Sequence, residues 1–345
     1  MTAATLGRAQ MAGDTVLSIA DLQTHFVYKN RVAKSVDGVT LTLQRGKTLA
    51  IVGESGSGKS VTSLSIMRLL GWPGKIVGGR IDYRLRDGSV VDLAQVDLAA
   101  MRAIRGREIA MIFQEPMTSL NPLFTVGDQI GEMIRLHERM GKAEARKRAI
   151  AMLERVEIPG AARRIDSYPH EMSGGMRQRV MIALALACNP SLLIADESTT
   201  ALDVTIQAQI LDLLRRLQAE LGMSILFVTH NLGVVAEIAH DVAVMYAGRV
   251  VEQARVEALF DTPSHPYTRG LLSCIPSGAQ PLDASGQRRL TPIPGIVPSI
   301  YALPPGCAFA PRCSLAQERC LREEQPLRPV GPEHNARCWR AGEAA

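Results

Sequence analysis

The chain has 345 residues, enough for about two domains at a typical ~150 residues each. Hydrophobic residues make up 46% and charged residues 21%, which fits a folded globular chain and excludes intrinsic disorder. A longest apolar run of nine residues, Val180 to Cys188, is far too short for a bilayer span, and a net charge of +5 is too mild and dispersed to argue for nucleic acid. The first fifteen residues lack the apolar core of a secretion signal, so secretion is not expected. Twelve of the 19 prolines fall between Pro266 and Pro332, a stretch that also carries Cys307, Cys313 and Cys320, with Cys338 just beyond. A regular α/β body followed by an irregular, cysteine-bearing tail is therefore expected.

In chain order, Leu17, Ile19, Leu22 and Phe26 and then Val39 to Leu43 read as strands, the second by strict alternation. The apolar run Thr48 to Val52 reads as a buried strand that meets the glycine-rich segment Gly53 to Ser60. A helix is expected over Val61 to Leu70, closed by Gly71-Trp72-Pro73. Helical spacing returns from Thr125 to Glu157, where the basic run Ala143 to Ala149 reads as a solvated face. A helix over Arg177 to Ala187, a strand over Ser191 to Ala195, a helix over Ala208 to Leu221 and a strand over Ile225 to Thr229 follow. Apolar strands alternating with helices imply a mostly parallel sheet covered on both faces.

Gly53-Glu54-Ser55-Gly56-Ser57-Gly58-Lys59-Ser60 matches G-x-x-x-x-G-K-[ST] in full between a strand and a helix. Such a loop turns its backbone N–H groups onto phosphate oxygens at a helix N-terminus. Lys59 can reach the β- and γ-phosphates, and the Ser60 hydroxyl can ligate Mg²⁺. The second apolar strand runs into Asp196 and Glu197, placing both acids at the sheet edge where open α/β folds bind ligands. Asp196 is expected on Mg²⁺, and Glu197 is expected to polarise the attacking water. His230, ending the next strand, is expected to contact the γ-phosphate.

Further segments carry a family resemblance. Glu171 to Arg179, containing Ser173-Gly174-Gly175, resembles the signature motif of ABC-type ATPases. Phe113-Gln114-Glu115-Pro116 resembles their Q-loop, Ser198 to Asp203 their D-loop, and Thr229-His230 their switch histidine. Leu17-x-Ile19-x-x-Leu22-x-x-x-Phe26 is similar to the strand whose final aromatic stacks on adenine, which selects Phe26 over Tyr28. The resemblance implies a P-loop NTPase of the ABC type over 14–262, with a helical insert over about 121–172. It also implies that Ser173, Gly174 and Gly175 complete a partner's ATP site in a head-to-tail dimer, that Gln114 helps hold Mg²⁺, and that Gln114 links this site to a membrane subunit beside the insert. Met176 stands where the signature usually has glutamine, a form associated with peptide importers, and Ser198 stands where a proline is frequent.

Cys307, Cys313, Cys320 and Cys338 are spaced C-x₅-C-x₆-C-x₁₇-C, wider than most structural zinc sites. Disulfides are disfavoured in the reducing compartment expected of a nucleotide hydrolase, and the chemistry leaves an iron–sulfur cluster, zinc or no metal open. The tail, with Ser264 to Thr268, Ile293-Pro294-Gly295 and Pro304 to Cys313, resembles the C-terminal extension of dipeptide/oligopeptide ABC importer ATPases. That resemblance implies a 263–345 extension carrying a 4Fe–4S cluster on the four cysteines. It further implies a translocase-class ATPase working with a second ATPase subunit, expected to be non-identical, two permeases and an extracytoplasmic substrate-binding protein. The chain would then sit peripherally on the cytoplasmic face of the cell membrane. Di- or oligopeptides are the expected cargo, with nickel, glutathione or other cargo as the alternative and a non-transport ABC ATPase as a distant one.

Overall fold

The computed structural model describes residues 11, 13–29, 31–113, 119–197, 203–275 and 292–343. Among these residues the strands form two sheets. The larger has the order β11-β12-β10-β9-β3-β8-β7-β6, with β3 at Thr48–Val52, β6 at Ile109–Ile112, β7 at Leu192–Asp196, β8 at Ser224–Thr229, β9 at Asp241–Tyr246, β10 at Arg249–Arg255, β11 at Arg328–Gly331 and β12 at His334–Ala336. Strands β6, β7, β8, β3 and β9 run parallel, and β10, β12 and β11 are added antiparallel. Every residue of β3, β7 and β8 is buried, which is why they read as unbroken apolar runs rather than alternating ones.

Register decides where the chemistry falls. Val52 pairs with Thr229, and Asp196 pairs with Val228, so β3, β7 and β8 end together at one edge. The phosphate loop, the acidic pair and His230 leave the sheet at that edge.

The smaller sheet is antiparallel, in the order β2-β1-β4-β5, from β1 (Thr15–Tyr28), β2 (Arg31–Gln44), β4 (Gly74–Arg84) and β5 (Val90–Asp92). Its inner residues Leu17, Ile19, Leu41, Ile81 and Tyr83 share one core cluster with Ile51, Ile194 and Leu226 of the larger sheet. Helix α1 (Lys59–Ile66) follows the phosphate loop, and α2 (Leu98–Ile104) follows β5.

The expected helical insert is α3 (Val126–Glu138), α4 (Lys142–Arg155) and the short α5 (Ala161–Arg164). Thr125 caps α3 by accepting the Asp128 N–H at 3.1 Å. Ile130, Ile134, Ala149 and Leu153 close this unit against α6 (Gly174–Leu186) and α7 (Val204–Leu221) in a second cluster. Asp203, the last residue of the D-loop segment, caps α7 through the Ile206 N–H at 3.0 Å. Ser198 to Leu202 lie outside the described residues.

Beyond α8 (Leu232–Ile238), α9 (Val256–Asp261) follows β10, and the tail contributes α10 (Pro266–Ser273), α11 (Glu318–Arg322) and the pair β11–β12. It is not a loose appendage. Glu252 of β10 is fully buried and accepts from the Ser264 N–H at 2.6 Å, the His265 N–H at 2.9 Å and His334 Nε2 at 2.7 Å. One carboxylate thus ties both halves of the tail to the main sheet.

Candidate nucleotide site

The loop after β3 is built by close approach. A Cβ on Gly53 would lie 2.2 Å from the Met245 carbonyl oxygen, and one on Gly58 (φ +100°) would lie 2.3 Å from that of Ser35. Only glycine fits at either place. The loop's second half is pinned by the Gly248 N–H, which donates to the Ser57 carbonyl at 2.9 Å. A concave pocket results, lined by Ser55 to Val61, Ser35, Glu197 and, from the tail, Val297, Pro298 and Ile300.

Lys59 is buried and donates to the Gly53 carbonyl at 2.8 Å and the Glu54 carbonyl at 3.0 Å, folding back across the loop. Burial lowers its pKa, while Glu197, Asp196 and Glu54 oppose the shift. Ser60 Oγ donates to Asp196 Oδ1 at 3.0 Å. Burial raises the Asp196 pKa to about 6 against the Ser60 hydrogen bond, with Glu197 raising it further and Lys59 lowering it. A buried carboxylate whose charge is under-compensated, beside a hydroxyl, is the hard oxygen donor set that suits Mg²⁺.

Glu197 takes a left-handed backbone, φ +46°, with its N–H donating to the Val228 carbonyl at 2.8 Å. That conformation is strained for a non-glycine residue and aims the carboxylate into the pocket. Its Oε1 stands 3.4 Å from His230 Nδ1. This pair can hold a water and accept its proton beside a bound phosphate.

Other expected residues are placed differently. Phe26 is half-buried with its ring against Gly74 and does not line the phosphate pocket, while Tyr28 is exposed and packs edge-on against Trp72 at 6.1 Å. Ser173, Gly174 and Gly175 open α6, a turn earlier than the helix read from Arg177, because Ser173 Oγ accepts the Met176 N–H at 3.3 Å as a cap. They do not line this chain's pocket either. Gln114 lies outside the described residues.

Gly53 and Glu54 stand behind the pocket. The Glu54 carboxylate pairs with Arg312 at 2.6 and 3.0 Å, and its N–H donates to Tyr267 Oη at 2.8 Å. Tyr267 and Arg312 lie in tail segments whose pattern gives neither a role, and Ser35, Val297, Pro298 and Ile300 join the pocket without a sequence signal. No local pattern marks them.

The four tail cysteines are free thiols lining one small pocket with His265, Phe309 and Arg340. Burial raises the pKa of Cys307 and Cys313 and pushes Cys338 up to about 11. Among the described residues, no group of three or more His, Cys, Asp or Glu is arranged to hold a metal ion. The expected metal centre is thus met only as a shared pocket of soft donors.

A family model described as ABC transporter matches residues 36–200, and one described as Oligopeptide/dipeptide transporter, C-terminal region, matches residues 251–320. A Brucella melitensis protein named as a peptide import ATP-binding protein is 56% identical over 338 residues, covering 97% of this chain and 100% of that one. The chain belongs to the ABC transporter family. The oligopeptide transport ATP-binding protein OppD of Bacillus subtilis is 50% identical over 325 residues, covering 94% of this chain and 88% of that one. Among solved structures, the ATP-binding cassette MJ0796 in a dimeric post-hydrolysis state with ADP and Pi matches with a TM-score of 0.61 at 28% identity, covering 70% of this chain and 98% of that one. The fold is the ABC ATPase cassette, and the chain is an ATP-hydrolysing transporter subunit. No helix among the described residues is long and apolar enough to cross a membrane.

Proposed function

We propose that this chain is the motor of an importer of di- and oligopeptides, working peripherally at the cytoplasmic face of the membrane. The observation that carries the cargo class is the match of residues 251–320 to the C-terminal region of oligopeptide/dipeptide transporters, on a chain that also holds a complete phosphate loop, acidic pair and histidine. The loop N–H groups and Lys59 bind the triphosphate. Ser60, Asp196 and Gln114 would hold Mg²⁺, which supplies neutralising charge to the phosphates. Glu197 accepts the proton of the attacking water, and His230 orients Glu197 and contacts the γ-phosphate. Phe26 stacks on the adenine from the outer sheet.

The signature residues Ser173, Gly174 and Gly175 serve a second ATPase subunit. Their exposure away from this chain's pocket supports that, as does the dimeric state of the MJ0796 structure. We take the second subunit to be a different chain of the same family. A groove lined by Arg102, Arg105, Gly106, Met133, Leu136 and His137, between the body and the insert, suits a permease. Leu136, exposed on its wall, gives the groove an apolar contact. Two permeases and an extracytoplasmic binding protein complete the complex.

The four cysteines would hold a 4Fe–4S cluster, four soft thiolates around one pocket being the donor set such a cluster takes. Iron, sulfide and zinc analysis of protein purified without oxygen decides this point. Iron with matching sulfide is expected, and a single zinc would overturn it. For the cargo, the complex is reconstituted in vesicles with its binding protein, and ATP turnover is followed with peptides, nickel or glutathione. Peptides are expected to stimulate turnover; stimulation by nickel or glutathione alone would refute the peptide reading.

A further inference from the structure

Glu54 is held from behind by residues of the C-terminal extension at both its side chain and its main chain. The Arg312 guanidinium, 4% exposed, makes a two-pronged ion pair with the carboxylate. Tyr267 Oη of α10 accepts the Glu54 N–H. Arg312 is itself clamped: Nε donates to the Pro294 carbonyl at 2.9 Å, Nη1 reaches Tyr246 Oη at 3.4 Å, and the guanidinium lies 5.8 Å from the ring centroids of Tyr246 and Phe309. A planar fork fixed at every edge gives its partner a fixed direction.

Glu54 is a negative charge on the loop that must receive a polyphosphate. Left unpaired, its carboxylate would repel the ligand and be free to swing over the pocket. Paired with Arg312 it is neutralised and drawn behind the loop, out of the pocket lining. The extension also supplies Val297, Pro298 and Ile300 to the pocket wall, so its contact with the site is not confined to one ion pair.

We infer that Arg312 is a positioning residue of the phosphate loop, through which the C-terminal extension sets the affinity for ATP. It does not line the phosphate pocket and acts through Glu54. A substitution should therefore appear in ATP affinity and KM and leave turnover at saturation nearly unchanged. A purely structural tie between tail and body would lower turnover and stability together, and would be indifferent to the charge on Glu54.

The test is ATP titration and steady-state hydrolysis with the full-length chain in its assembled transporter. For Arg312→Gln, ATP binding is expected to weaken roughly tenfold with kcat within about twofold. Adding Glu54→Gln, which removes the stranded charge, is expected to recover at least threefold of that loss. Arg312→Lys keeps the charge and loses the fork, and should weaken ATP about threefold. If Arg312→Gln does not fold, Arg312→Lys carries the test alone. Unchanged ATP affinity in the folded variants, a fall confined to kcat, or a double variant no better than Arg312→Gln would each overturn the inference.

Discussion

Ser60 Oγ donates a 3.0 Å hydrogen bond to Asp196 Oδ1 across 136 positions of sequence, and this bond brings the first turn of α1 to the end of β7. The contact exists because β3 and β7 flank β8 in one parallel sheet and end at the same edge. A hydroxyl and a buried carboxylate are thus held together at the sheet edge.

The burial of Asp196 has a stability signature. A carboxyl whose native pKa is about 6, against about 3.9 unfolded, binds an extra proton when folded, so its ionised form costs stability above pH 6. The shift corresponds to up to about 3 kcal/mol at neutral pH. Asp196→Asn is expected to raise the melting temperature of the nucleotide-free chain by a few degrees near pH 7.5 while abolishing Mg²⁺-dependent hydrolysis. A variant that melts at or below the wild-type temperature would show that the burial of Asp196 carries no such cost.

The same proton competes with Mg²⁺. Apparent Mg²⁺ affinity, from titration of ATP turnover, should be flat above about pH 7 and fall about tenfold per unit below the Asp196 pKa of about 6. A flat response down to pH 5 would mean that Asp196 is not a ligand.

How much of this was legible in the sequence depends on distance along the chain. Thr48 to Ser60 and Leu192 to Glu197 carry local signals, a continuous apolar strand followed by glycines or acids, and the structure sets them as expected. Helix α6 opens at Gly174 rather than at the expected Arg177, because the Ser173 cap satisfies a first-turn N–H and so lets two glycines begin the helix. Strand β4, Gly74–Arg84, escaped because exposure alternates over its first seven residues while their sequence, Gly-Lys-Ile-Val-Gly-Gly-Arg, does not alternate apolar with polar. The Arg312–Glu54 pair, 258 positions apart, leaves no local trace at all. An arginine beside a cysteine in a proline-rich tail looks the same whether it faces solvent or a phosphate loop.

Loop geometry yields a steric prediction. Gly58→Ala would place a Cβ 2.3 Å from the Ser35 carbonyl oxygen at a positive φ, so the loop must shift. ATP binding should fall by at least tenfold, with a destabilisation of about 1–3 kcal/mol visible in denaturant melts. Wild-type ATP affinity in this variant would show that the loop tolerates displacement.

The tail's anchorage should depend on pH. Burial lowers the His265 pKa to about 4, with Glu252 opposing and Arg337 assisting. Unfolded, the same ring binds a proton below about 6.5. Stability must therefore fall as pH drops from about 6.5 to about 4, by up to about 3 kcal/mol in total. Glu252, held below its usual range by its hydrogen bonds against burial, stays ionised through most of that window. Hydrogen exchange corrected for intrinsic rates should show α10 and β12 losing protection near pH 5 before α3 and α4 do. Equal loss in all four elements would remove His265 as the cause.

Glu197, on its strained turn beside His230, drives the ATP hydrolysis that powers uptake. That role is tested most directly by Glu197→Gln in the complete importer reconstituted in vesicles, following ATP binding, turnover and substrate uptake together. ATP affinity is expected within about threefold of wild type, with turnover and uptake both lowered by at least ~10²-fold. Turnover or uptake at the wild-type rate would contradict it.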